Sequence, residues 1–196
     1  DVLKLMHFPG YRLIKGKLNG GKNVLVKDTL LNVKVETFTT EVPSLLLSAG
    51  GFKYLMFYRE WRKDGADGTD NIQLQEARWE TFIRRVKRIG GKLIVMGDAN
   101  VDYLSEDTAH QKNLTNIREE MFGLLAEKGY AQLIKEDTRH RGEQKGCLDH
   151  IYTGQIKHVA EVFNANVHGW DHNSIGVKLR TDRPVFRRKV IVKRDY

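Results

Sequence analysis

The sequence has one cysteine and three prolines in 196 residues, and no long apolar run. A lone Cys147 excludes a disulfide framework and a CxxC zinc site, and it points to an intracellular, reducing compartment. The apolar runs are strand-sized, Leu93-Ile94-Val95-Met96 among them, which excludes a membrane-spanning helix. No basic stretch precedes an apolar one, so no secretory leader is expected. Glycine-rich phosphate loops, GxSxG elbows and HExxH zinc motifs are absent too; Gly20-Gly21-Lys22 lacks the spacing of the first. Acid is scarce beside base: 33 Lys+Arg against 25 Asp+Glu give a net charge of +8 and a pI near 9.5. That balance favours a polyanionic partner.

What is present is enough for a core. Hydrophobic residues make up 40% of the chain, charged residues 30%, and the mean hydropathy is −0.49, which describes a globular chain of about one domain. The basic residues are unevenly spread. Lys178, Arg180, Arg183, Arg187, Arg188, Lys189, Lys193 and Arg194 face one acid, Asp182, within a single segment, so residues 1–177 are close to neutral. Residues 1–180 are expected to form the domain and 181–196 a basic C-terminal strand or linker.

Period-two alternation predicts strands early in the chain. Leu31, Val33 and Val35 would share one face, and Phe52 to Arg59 has bulky residues on both faces, as in a strand covered on two sides. Gly50-Gly51 and Asn19-Gly20-Gly21 read as turns. Trp79, Phe82, Ile83, Val86 and Ile89 then recur at helical spacing, with Glu80 and Arg84 as an i,i+4 pair and Gly90-Gly91 as the stop. A second helix is expected over about 110–128. Further strands are expected at 130–134, 148–152, 158–163, 173–180 and 187–193. The class is α+β, a sheet sandwich with helices outside.

Four short patterns carry possible chemistry. Gly97-Asp98-Ala99-Asn100 follows a buried strand and sets a carboxylate and an amide on one side of an extended backbone; Asp98 can act as a base or bind a cation, or the segment is simply a turn. Leu148-Asp149-His150-Ile151-Tyr152 puts two polar residues in an apolar strand. Asp149 there either satisfies the local backbone or His150, or orients a distant imidazole. Trp170-Asp171-His172-Asn173 opens a later strand and offers a hard-cation ligand beside an imidazole, unless it is an Asx-type turn. Tyr58-Arg59 ends a strand with a hydroxyl and a guanidinium suited to a phosphodiester oxygen. The remaining histidines show no ligand-like spacing.

The order of these pieces resembles the endonuclease/exonuclease/phosphatase superfamily over roughly residues 8–180, and within it the endonuclease domains of non-LTR retrotransposons, which precede a reverse transcriptase. Gly20 to Lys27 resembles that family's second hairpin strand, and Thr138-Arg139, eleven residues before Asp149, matches its threonine near the scissile phosphate. The resemblance implies a four-layer α/β/β/α sandwich of two mainly antiparallel sheets. It also implies a first strand and helix, with an Asn and a metal-binding Glu, lying upstream of Asp1. It assigns catalytic roles to Asp98, Asn100, Asp149, His172 and Tyr58. Asp98 would activate water, Asn100 would hold the phosphate, and Asp149 would fix the His172 imidazole. Asp171 with Asp98 would bind Mg²⁺, with Mn²⁺ as a substitute. Arg59, Thr138, Arg139, Trp170, Arg187, Arg188 and Lys189 would meet DNA. Trp170 stands where the family commonly has Ser, so it either narrows the site, stacks on a base or sugar, or packs locally. The implied partners are DNA and a reverse transcriptase domain of the same polyprotein, with no membrane and a nuclear location. The implied function is metal-dependent nicking of DNA; the alternatives are an inactive nuclease-fold binding domain and a phosphatase of a small phosphoester.

Overall fold

The structure, a computed structural model, describes residues 9–15, 23–30, 32–36, 38, 40–59, 72–105, 119, 122–123 and 125–180. The strand expected at 187–193, the basic segment 181–196 with Arg187, Arg188 and Lys189, and the turn at 19–21 lie outside them.

The class is α+β. Strands β1 (Tyr11–Lys15) and β2 (Asn23–Lys27) form a hairpin. Six strands build the main sheet: β3 (Lys34–Glu36), β4 (Ser44–Ala49), β5 (Phe52–Tyr58), β6 (Leu93–Asp98), β7 (Ala131–Gln132) and β10 (Asp149–Thr153). Their spatial order is β3-β4-β5-β6-β10-β7. Between β7 and β10 the chain makes a small hairpin, β8 (Arg139–Arg141) and β9 (Gln144–Gly146), and after β10 come the paired strands β11 (Val159–Ala165) and β12 (Ser174–Leu179). The described strands thus form one six-stranded sheet and three two-stranded ones. No helix among the described residues is long and apolar enough to cross a membrane.

Local chemistry explains the central elements. Gly50 and Gly51 both take positive φ, 58° and 82°, which is the two-residue turn that matches the twist of the β4–β5 hairpin it closes. Helix α1 (Ile72–Arg88) then carries the chain over to β6, which lies parallel to β5. Its apolar stripe is the expected one: Trp79, Phe82, Ile83 and Val86 are buried against Leu55 and Phe57 of β5 and Leu93 and Val95 of β6. Glu80 pairs with Arg84 on its outer face. The opposite face of the sheet gathers Phe52, Ile94 and Ile151, against which Ile175, Val177 and Leu179 of β12 pack. Strand β5 is therefore covered on both sides, as its bulky alternation predicts.

Two expectations shift. The strand expected to bury Leu31, Val33 and Val35 begins only at Lys34, and Val35 is 52% exposed. β3 is a sheet edge with one neighbour, so its alternation has no second surface to cover it. The helix expected over 110–128 falls largely outside the described residues; of those described, 119, 122, 123 and 125–127 are helical.

Candidate active site

Three adjacent strands put the site together through their register. Parallel pairing of β5 with β6 sets Tyr58 beside Asp98, and antiparallel pairing of β6 with β10 sets Asp98 beside Asp149. The three residues stand in a row across one end of the sheet. They share the parity of Ile94 and Ile151, which places them on the face packed by β12 rather than the face packed by α1.

Gly97 makes this row possible. It pairs with Phe57, and a Cβ on it would fall onto the Phe57 carbonyl oxygen. Only glycine lets β5 and β6 approach closely enough there. Just beyond, Asp98 Oδ1 accepts the Asn100 backbone N–H at 2.8 Å, an Asx turn that carries Asn100 to a left-handed φ of 48°. The Asn100 amide donates to the Arg59 carbonyl at 2.7 Å. The turn expected from the sequence and the functional reading of Asp98 therefore coexist: the turn fixes the carboxylate.

Asp149 is the most constrained member. Its Oδ2 accepts the Thr138 hydroxyl at 2.8 Å and lies 2.8 Å from His172 Nδ1. Thr138 is fully buried, and its Oγ1 accepts the backbone N–H groups of Leu148 (3.0 Å) and Asp149 (2.9 Å). Because a carboxylate accepts, the proton at this contact sits on Nδ1, and Nε2 is the imidazole nitrogen left for a ligand. Backbone bonds bring the two distant segments together: Asn173 N–H donates to the Thr138 carbonyl and His140 N–H to the Asp171 carbonyl, both at 2.7 Å. Asn164 and Asn173 amides both donate to the Asp137 carbonyl and lock the same junction.

The alternative in which Asp149 serves His150 is excluded. His150 points to the other face, where Nε2 donates to the Cys147 carbonyl at 2.9 Å and Nδ1 accepts from Tyr152 at 3.0 Å. It is fully buried, and burial pushes its pKa down to about 4, so it is a neutral core residue. Burial likewise pushes the Cys147 thiol up to about 12, which makes it inert.

The other sequence candidates take different places. Arg59 is buried in the junction: its guanidinium donates to Gln75 of α1 at 2.9 Å and to the carbonyls of Ala99 and Asn100 at 3.4 and 3.3 Å. Arg139 lies 3.4 Å from Asp171, whose carboxylate is half exposed. Trp170 is 75% exposed, so local packing does not explain it. Sequence reasoning missed Asp102, whose Oδ1 accepts the N–H groups of Leu104 and Cys147, both at 3.0 Å. It pins the loop after β6 to the segment leading into Asp149. The only trace in the sequence is Gly146, where a side chain would press on that carboxylate.

Asp98, Asp149 and His172 each offer a ligand atom, and these atoms all lie within 4.8 Å of one another. Two carboxylates and an imidazole this close form a group able to hold a metal ion. Since His172 Nδ1 is already bonded to Asp149, carboxylate oxygens remain as the donors, which suits a hard cation that keeps waters and takes substrate oxygens. Asp171 stands outside this trio.

No family model matches the chain, and no curated protein matches it. Solved structures do, and they define its class: it has the endonuclease/exonuclease/phosphatase fold. One is the endonuclease domain of TRAS1, a telomere-specific non-LTR retrotransposon, with 18% identity, a TM-score of 0.61, and coverage of 89% of this chain and 80% of that one. Another is NExo from Neisseria, a 3′ phosphatase bound to a product DNA hairpin, with 14% identity, a TM-score of 0.62, and coverage of 91% and 82%. The same protein as a 3′-5′ exonuclease of Neisseria meningitidis matches at 13% identity, a TM-score of 0.59, and coverage of 91% and 82%.

Proposed function

We propose that this chain is a metal-dependent endonuclease that nicks DNA by hydrolysing a phosphodiester. The observation that carries this reading is the Thr138–Asp149–His172 chain of hydrogen bonds with Asp98 one strand away, at the end of a sheet whose fold is that of nucleases and phosphatases. Asp149 holds the imidazole in one tautomer and favours its charged form, so that His172 Nε2 donates to a phosphoryl oxygen as negative charge develops there. Asp98, fixed by its Asx turn, orients the attacking water and takes its proton. Asn100 has one amide N–H on Arg59 and retains a second N–H for the phosphate, while the Tyr58 hydroxyl lies at the end of the same row. A divalent cation such as Mg²⁺, or Mn²⁺ in its place, would be held by Asp98 and Asp171 and would supply Lewis-acid polarisation of the phosphoryl oxygen.

The retrotransposon endonuclease among the structural neighbours supports a narrower version, in which the nick primes a reverse transcriptase in the nucleus. The basic segment 181–196 then supplies non-specific backbone affinity. Supercoiled plasmid incubated with the protein and Mg²⁺ should become open-circular, and Asp98→Ala and His172→Ala should each abolish this. Intact plasmid beside hydrolysis of a 3′-phosphorylated oligonucleotide would replace the nuclease with a phosphatase. Binding without turnover of either would leave only a nucleic-acid-binding domain.

A further inference from the structure

Trp170 is the most exposed large apolar side chain among the described residues, and it packs against no other ring among them. A tight turn presents it: Trp170 N–H donates to the Val167 carbonyl at 3.1 Å, and Gly169 takes the positive φ of 84° that the turn requires. The next residue, Asp171, is fastened by its carbonyl to His140, and His172 is fastened to Asp149. The indole is therefore carried by a rigid root and stands two residues, roughly 7 Å of chain, from the imidazole. Alongside runs the β8–β9 hairpin, bridged to this segment between Arg139 and His172. Its residues Arg139, Arg141 and Lys145 outnumber the single acid Glu143, and both Arg141 and Lys145 are exposed.

We propose that Trp170 stacks on a base next to the scissile phosphate, and that the site therefore selects DNA in which that base has lost a stacking neighbour. The proposal rests on the nuclease reading above and names its substrate class. Anything that covers Trp170 also lies over His172, and a nucleotide whose phosphate is being cut meets both at once. The cationic hairpin complements the backbone of such a strand and repels a basic partner. In an intact duplex each base has both faces covered by its neighbours. An indole projecting from the protein finds an open face only at a gap, an end, a flipped base or a single strand. Stacking on an indole does not depend on which base is present, so the selection is for structure rather than sequence.

The test measures binding apart from cleavage. Fluorescein-labelled DNA of one sequence is offered in metal-free buffer with EDTA in three forms: intact duplex, duplex with a one-nucleotide gap, and single strand. Wild type should bind the gapped and single-stranded forms about tenfold more tightly than the duplex. Trp170→Ala should erase that preference, Trp170→Phe should keep most of it, and Arg141→Ala should weaken all three forms alike and flatten the salt dependence by about one unit of slope. Circular dichroism and thermal melts confirm that the variants fold. The proposal is overturned if Trp170→Ala leaves all three affinities unchanged, or lowers them equally. Cleavage is then read separately with Mg²⁺. A wild type that cuts no form, yet shows Trp170-dependent binding, sinks the nuclease reading and leaves the stacking. A wild type that cuts duplex and gapped DNA equally well sinks the stacking.

Discussion

Thr138→Val tests the site where it is most tightly built. Valine has nearly the shape of threonine, so the change removes the hydroxyl and little else. That hydroxyl makes three bonds in a fully buried position: it donates to Asp149 Oδ2 and accepts the N–H groups of Leu148 and Asp149. The substitution leaves two backbone donors without an acceptor, each costing about 1–3 kcal/mol where water cannot reach them. With partial relaxation the sum is about 2–4 kcal/mol. For a chain of this length that lowers Tm by about 5–15 °C, and the urea midpoint by about 1–2 M. Thr138→Ser keeps the hydroxyl, loses a methyl group, and should cost about 1 kcal/mol. Urea unfolding of the three proteins, followed by fluorescence and circular dichroism together, checks both values. If Thr138→Val lies within about 0.5 kcal/mol of wild type, the two N–H groups have other acceptors, and the account of Thr138 as the clamp on Asp149 is wrong.

Gly97→Ala should destabilise by about 3 kcal/mol or more, because its Cβ meets the Phe57 carbonyl and forces β5 from β6; a well-folded variant with wild-type Tm would refute the close approach. His150 should make the fold sensitive to acid. Its folded pKa of about 4 lies below the unfolded value of about 6.5, so the unfolded chain binds the extra proton. The stability it contributes is complete above about pH 6.5 and declines by about 3 kcal/mol as pH falls to about 4, and His150→Gln should remove that part of the slope. Equal slopes in wild type and variant, from unfolding free energies between those pH values, would contradict the burial argument. Cys147 should resist thiol reagents at pH 8 until the chain unfolds, so that labelling follows the unfolding curve; rapid labelling of native protein would show the thiol to be accessible.

The sequence by itself determined whatever depends on neighbours along the chain. The stripe Trp79-Phe82-Ile83-Val86 settles the buried face of α1, the two-sided bulk of Phe52 to Tyr58 settles a covered strand, and Gly50-Gly51 settles the hairpin between β4 and β5. Asp98, Asp149 and His172 were visible as candidates, each in an ambiguous motif with a bland alternative. The tertiary structure alone removed the ambiguity. It put His150 on the wrong face and His172 within 2.8 Å of Asp149, across 23 residues of sequence, and it turned Arg59 from a surface cation into a buried strut. It also exposed the role of Asp102, which no local pattern announces. The reason is physical. Helical stripes and tight turns are set by backbone geometry over a few residues, whereas the site is set by strand register and by which face each side chain takes. A slip of one residue in either pairing would send the opposite set of side chains to the site, and nothing within any single strand forbids it.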